Sequence, residues 1–205
     1  MSRPRSIDDA HILEVARKLF LDGGPRTSTA AIARAAGVSE GTIFKRFETK
    51  QELFFAAMGL PRPTEVSRLL AGPVSEGDVR SHLVDLSVEI IAFLGEIVPR
   101  MMMLCAHPAY DPKVLFADDP EPPPLRLVRG LAAWLDREAT AGRVRGGVSE
   151  KTARVLLGAL QNYVFWQVAG LQRGPGGDAR EYAEGVVDLL WRGVAPDGDP
   201  AEEKP

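Results

Sequence analysis

Thr42, Lys45 and Arg46 stand at spacing i, i+3, i+4, which on a helix gathers a hydroxyl, an ammonium and a guanidinium on one face. Groups of that kind reach base edges and phosphates in the major groove of duplex DNA, and an arginine paired bidentately with guanine adds about 1–3 kcal/mol of base discrimination. Ile43 and Phe47, one turn apart, are expected to face inward with Val38, and Gly41 keeps the start of the helix slim enough for close approach. The other candidates for chemistry are weaker. His107, Asp111, Asp118, Asp119 and Glu121 are residue types that bind hard cations or move protons, but they fall in a proline-rich stretch without metal-ligand spacing. A solvated acidic loop explains them more simply, and neither a metal nor a catalytic site is expected. The lone Cys105 serves as a redox sensor only if exposed and of lowered pKa; beside Met103 and Leu104 it reads as a buried thiol.

A DNA-reading helix must be braced by another across a tight turn, which requires a small residue at the turn and a buried face on each helix. Ala36-Gly37-Val38-Ser39 meets that requirement. Ser6 followed by Asp9 opens a first helix over about 7–21, apolar at Ile12, Ala16, Leu19 and Phe20 and stopped by Gly23-Gly24-Pro25. Thr27 or Ser28 caps a short second helix that Gly37 ends, and Ser39 caps the third. Thr49 with Glu52 is a capping box for a fourth, carrying Leu53, Phe54, Ala57 and Met58 before Pro61 and Pro63.

Beyond Pro63 the pattern predicts longer helices: a short piece over 64–70, one from about 75–78 through Ile97, and a separate short helix over 101–106 after a break or kink at Pro99. Residues 107–124, with six prolines, read as a mobile loop, followed by helices over 125–141, 149–172 and 178–194. No segment alternates as a strand does, so the fold class is all-α. The expected division is 1–58 as a helix-turn-helix domain of three helices joined through the fourth to a larger helical domain over 59–195, with 196–205 a disordered tail.

The net charge is -3, yet residues 1–58 hold nine Lys/Arg against seven Asp/Glu while the remainder holds 16 against 21. The basic excess therefore sits on the segment expected to meet DNA. A single cysteine excludes an internal disulfide and a cysteine-built zinc site, and no apolar run approaches the ~18 residues a membrane span needs. With no apolar segment behind Arg3 and Arg5 to suggest secretion, a cytoplasmic protein is expected.

The helix over 149–172 is apolar almost all round, so it must bury two faces, one of them outside its own domain. The last helix repeats Ala183, Val187, Leu190 and Val194 at coiled-coil-like spacing beside Trp191. Together they suit a four-helix interface across a two-fold axis, with Leu156, Leu160, Val187, Leu190, Trp191 and Val194 as its candidates.

Taken together, ILEVARKLF, the T-S-T before IARAAGVS, EGTIFKRF and the Thr49-Lys50 helix start resemble the DNA-binding domain of the TetR family of bacterial repressors over residues 8–58, about a quarter of the chain. The resemblance implies phosphate contacts at Thr27 and Ser28, recognition-helix contacts at Ser39, Thr42, Lys45 and Arg46, and a phosphate contact at Lys50, at a helix N-terminus. Phe44 stands where the family usually has tyrosine, so it joins the interface without the hydroxyl that commonly reaches a phosphate. Histidine is also frequent in the family near Lys45 and Arg46, so base preference does not carry over.

The resemblance further implies a homodimer formed through the last two helices, a palindromic double-stranded DNA operator with half-sites ~34–36 Å apart, and a small-molecule effector held in the larger domain. No cofactor and no membrane partner are implied. Residues for an adaptable, apolar pocket are Phe93, Met101, Met102, Met103, Cys105, Trp134, Asn162, Tyr163 and Trp166; Asn162 and Gln161, as amides in so apolar a helix, would need partners. Such an effector acts by population shift, and a coupling of ~1–3 kcal/mol changes DNA affinity 5- to 150-fold. The remaining alternatives are a regulator without ligand, an activator, or a thiol sensor at Cys105.

Overall fold

The computed structural model describes residues 8–59, 64–72, 77–111, 113, 121, 123–147, 149–171 and 178–194. The regular elements among them are helices only, in the order α1 (Asp9–Gly23), α2 (Thr29–Ala36), α3 (Glu40–Phe44), α4 (Lys50–Ala57), α5 (Thr64–Ala71), α6 (Val79–Cys105), α7 (Pro123–Thr140), α8 (Ser149–Val168) and α9 (Ala179–Val194). The tail 196–205, Pro61, Pro63, Asp118 and Asp119 lie outside the described residues.

The chain forms two compact units: residues 1–61 with 99–112, and residues 62–98 with 113–205. The division at about residue 58 expected from sequence thus has a return, since the end of α6 packs into the first unit. In that unit α1 buries Ile12, Ala16 and Phe20, α2 buries Ile32, Ala33 and Ala36, and α4 buries Leu53, Phe54 and Ala57. Phe20 and Phe54 meet edge to face at 5.1 Å between centroids, and the His107 imidazole stacks on Phe54 at 4.8 Å. The buried Arg100 donates from Nη1 to the Gly59 carbonyl just past α4 at 2.9 Å, and Arg17 donates from Nε to the Ala57 carbonyl at 3.0 Å. Two arginines therefore satisfy carbonyls that the end of α4 leaves without intrahelical donors.

Pro99 neither breaks nor ends α6, contrary to the two-helix expectation: one helix of 27 residues runs through it. Proline removes a single i to i−4 bond, and the carbonyl left without its donor is that of Gly95. Leu94, Val98 and Leu104 are buried on either side, so packing holds the helix across the gap.

In the second unit α6 through residue 98, α7, α8 and α9 surround a core that includes Leu83, Ile90, Leu131, Leu135, Leu156 and Leu160. Tyr163 of α8 stacks on Tyr182 of α9 at 4.3 Å, and the Tyr182 hydroxyl donates to the Ala159 carbonyl at 3.0 Å. Arg180 pairs with Asp85 at 2.7 Å and Arg80 with Asp188, joining α9 to the start of α6. Glu138, fully buried, meets Nε of Arg143 at 3.0 Å, the pairing that a buried carboxylate requires.

Candidate nucleic-acid interface

The turn between α2 and α3 is fixed by Gly37, whose φ of 68° lies in the left-handed region and whose N–H reaches the Ala33 and Arg34 carbonyls. Ser39 then caps α3: its Oγ accepts from the Thr42 N–H at 3.1 Å and shares a proton with Thr42 Oγ1 at 2.8 Å. Thr29, at the start of α2, donates its hydroxyl to the Glu40 carboxylate, tying the N-termini of α2 and α3 together. With Ile43 and Phe47 buried below, Ser39, Glu40, Gly41, Phe44 and Lys45 stand exposed and Thr42 half-buried. The helix proper ends at Phe44. Lys45 and Arg46 occupy its closing turn, where the Arg46 N–H reaches Ile43 O at 3.0 Å and cations complement the helix dipole.

One sequence candidate is engaged differently from expectation. Thr27 donates its only hydroxyl proton inward, to the Leu19 and Gly24 carbonyls at 3.0 Å each, so it pins α1 to the turn and has no proton to offer a phosphate. Ser28 accepts from the Ala31 N–H at 3.2 Å and keeps its own proton. At the start of α4, Thr49 Oγ1 accepts from the Glu52 N–H at 3.0 Å while Glu52 Oε2 accepts from the Glu48 N–H at 2.7 Å, and Lys50 is the first helical residue.

Arg46 is not isolated. Its Nη1 lies 2.9 Å from Oδ1 of Asp9 in the first turn of α1, a pairing across 37 sequence positions that no local pattern announces. Asp9 and Glu40 are the two carboxylates at this surface that sequence reasoning missed. Both stand beside a residue it did single out.

The pocket candidates are divided between the two units. Met101, Met102 and Cys105 belong to the first unit, whereas Phe93, Trp134, Asn162, Tyr163 and Trp166 belong to the second. Trp134 and Tyr163 are core, Phe93 packs partly buried against it, and Asn162, Gln161 and Trp166 are exposed on α8, so its amides require no buried partner. Met101 and Met103 are half-buried, while Met102 and Cys105 are exposed, and the inert buried thiol expected at Cys105 is corrected accordingly. Among the described residues no cluster of His, Cys, Asp and Glu fits a metal ion. His107 takes the Ala109 N–H on Nδ1 at 3.2 Å, and Glu121 pairs with Arg129 at 3.0 Å.

The dimer candidates divide as well. Leu156, Leu160 and Val187 are fully buried in their own core and have no surface to give a partner; Leu190 and Trp191 are half-buried, and the Val194 side chain lies outside the description. The face α8 leaves open carries Val155, Phe165, Trp166 and Val168, and the exposed Leu189 of α9 is 82% accessible.

Residues 12–57 match the family of bacterial regulatory proteins called tetR. An uncharacterized HTH-type transcriptional regulator of Mycobacterium bovis is 25% identical over 77% of this chain and 80% of its own length. Among solved structures, a TetR-family transcriptional regulator of Mesorhizobium loti superposes with a TM-score of 0.71 at 19% identity, over 95% of this chain and 100% of that one. SmeT, the repressor of the Stenotrophomonas maltophilia multidrug efflux pump SmeDEF, superposes with a TM-score of 0.63 at 19% identity, over 94% of this chain and 93% of its own. At these identities the superpositions establish a common fold. The helix-turn-helix geometry and the match over residues 12–57 make the N-terminal part of this chain similar to the DNA-binding domain of TetR-family transcriptional regulators. No described helix is long and apolar enough to cross a membrane.

Proposed function

We propose that this chain is a homodimeric repressor that grips a palindromic operator with α3 of each copy and lets go when a small apolar effector binds the larger unit. The observation that carries the DNA part is the division of α3 itself: Ile43 and Phe47 packed below, Ser39, Gly41, Phe44 and Lys45 open above, with Ser28 and Lys50 at the flanking helix starts. Thr42 and Arg46 complete the set. The exposed apolar face of α8 with Leu189 of α9 supports a second copy of the chain as partner, because a single regulator subunit has no reason to leave Phe165 and Trp166 in water. The sign of regulation follows SmeT, which is a repressor. Phe93, Trp134 and Tyr163, which face the larger unit's core, are where its effector would be read.

The test joins assembly to binding. Sedimentation of the purified chain and titration onto a selected duplex should show a dimer with one dimer per palindrome. A monomer that still binds half-sites independently would refute the dimeric reading. Deleting the gene should raise a reporter driven by the operator, whereas a fall would make the protein an activator.

The exposure of Cys105 favours one further reading, a thiol-sensing regulator. Burial first, and then the neighbouring Cys105, push the Tyr110 phenol above the ordinary tyrosine value. Peroxide treatment that abolishes operator binding in the wild type and spares Cys105→Ala would support the sensor; equal loss in both would exclude it.

A further inference from the structure

Arg46 is a cation at the turn that closes α3 and the only one of the α3 candidates with an ion-pair partner among the described residues. Asp9 Oδ1 lies 2.9 Å from its Nη1, and the two side chains are 26% and 61% exposed respectively. Nη1 is shielded from solvent, yet its N–H is not aimed at the Asp9 oxygen as a hydrogen bond requires, and no described group accepts from it. Asp9 thus supplies charge beside the guanidinium, whose other nitrogens, rather than the shielded Nη1, are left to meet a duplex. Asp9 is itself held in place as a first-turn residue of α1, where the helix dipole favours a carboxylate. Arginine has many rotamers, and ordering it on binding costs entropy that a pre-placed partner removes.

We infer that Asp9 is a positioning residue for DNA recognition: it holds the Arg46 guanidinium in one direction, with its donors ready for a single acceptor on the duplex, and offsets its charge toward phosphates in general. This rests on reading α3 as the DNA-contacting helix. Long-range attraction depends on net charge, whereas base discrimination depends on donors at fixed positions, so a carboxylate placed behind the guanidinium lowers the first and sharpens the second. A purely structural tie between α1 and α3 would do neither.

The experiment compares wild type, Asp9→Ala, Asp9→Asn, Arg46→Ala and the Asp9→Ala/Arg46→Ala double variant. Each is titrated, over a range of salt, onto the palindrome selected by the wild type, onto every single-base substitution of one half-site, and onto a random duplex. Asp9→Ala should bind the random duplex several-fold more tightly, with a salt slope steeper by up to ~0.9 per subunit. It should also lose roughly fivefold or more of the discrimination at the one half-site position that Arg46→Ala also affects. Asp9→Asn should follow Asp9→Ala, and the double variant should match Arg46→Ala in its base discrimination. The inference is overturned if Asp9→Ala keeps the wild-type discrimination at every position, or if it weakens all duplexes equally with an unchanged salt slope. Thermal melting separates a folding defect, since the loss of an exposed pair should move the midpoint by only a few degrees. If the wild type selects no motif at all, α3 is not a base-reading helix; the parent reading falls and this inference with it.

Discussion

Replacing Gly41 by alanine should push stability and DNA binding in opposite directions. Gly41 is the second residue of α3, exposed, and a Cβ built on it finds its nearest heavy atom, Ser39 Oγ, at 3.8 Å, an ordinary contact. Folding therefore meets no clash. In exchange for glycine, alanine in a helix contributes about 0.5–1 kcal/mol, so Gly41→Ala should raise the melting temperature slightly. The added methyl group nevertheless stands on the side of α3 opposite Ile43, flanked by Ser39, Phe44 and Lys45, where the duplex backbone must come close. Keeping a phosphate or base edge away by the width of a methyl group removes hydrogen bonds that lie near 2.9 Å, and a loss of about 1.4 kcal/mol is tenfold in affinity. The assay is differential scanning fluorimetry beside fluorescence anisotropy on the selected operator. A more stable variant that binds about tenfold or more weakly is expected. A more stable variant that binds like wild type would refute the placement of Gly41 against DNA.

The remaining predictions concern the turn, the charges and the partner face. Gly37→Ala has room for its methyl but must hold φ near 68°, so it should cost about 1–2 kcal/mol in denaturant unfolding. Lys45→Ala should weaken all duplexes alike and flatten the salt dependence by about 0.9 per subunit, read from binding constants between 50 and 200 mM salt. Asp78 accepts from the Ser81 hydroxyl at 2.6 Å and from its N–H at 3.0 Å, and these bonds, the hydroxyl first, hold its carboxyl below the usual value of 3.8. Because the folded pKa is depressed, its contribution is fully present above the unfolded value of about 3.9 and is lost as pH falls through the folded one. Asp78→Ala should therefore be more destabilising at neutral pH than in acid below the usual carboxylate range, measured by urea unfolding at each pH. Trp166→Glu with Leu189→Glu should leave melting nearly unchanged and yield a monomer by sedimentation; a persistent dimer would move the interface elsewhere.

Local signals carried the sequence reading furthest. Ser28, Ser39 and Thr49 act within three residues of themselves, and a left-handed glycine needs only its own backbone, so the turn and caps around α3 were legible from composition and spacing. Pro99 misled because one missing hydrogen bond is a local debit that burial of Val98 and Leu104 outweighs. On α8 periodicity failed for a different reason. Periodicity on a helix apolar on nearly every side does not say which face turns inward, so Leu156 and Leu160, assigned to a partner, lie in the core of their own unit, and Asn162, assigned to a cavity, is exposed. Asp9 beside Arg46 was invisible, as long-range pairs leave no period. The end of α6 behind α4, with Arg100 on the Gly59 carbonyl and His107 on Phe54, was hidden likewise.

The central claim is that α3 reads DNA sequence through the residues it leaves exposed. Selection from a random duplex library tests it most directly, with purified wild type beside a Lys45→Ala/Arg46→Ala variant whose buried face is untouched. One palindromic motif with half-sites about 10–10.5 base pairs apart, recovered by the wild type and lost by the variant, is the expected result. No motif at moderate salt, or the same motif from both proteins, would contradict the assignment of α3 and turn attention to the larger unit.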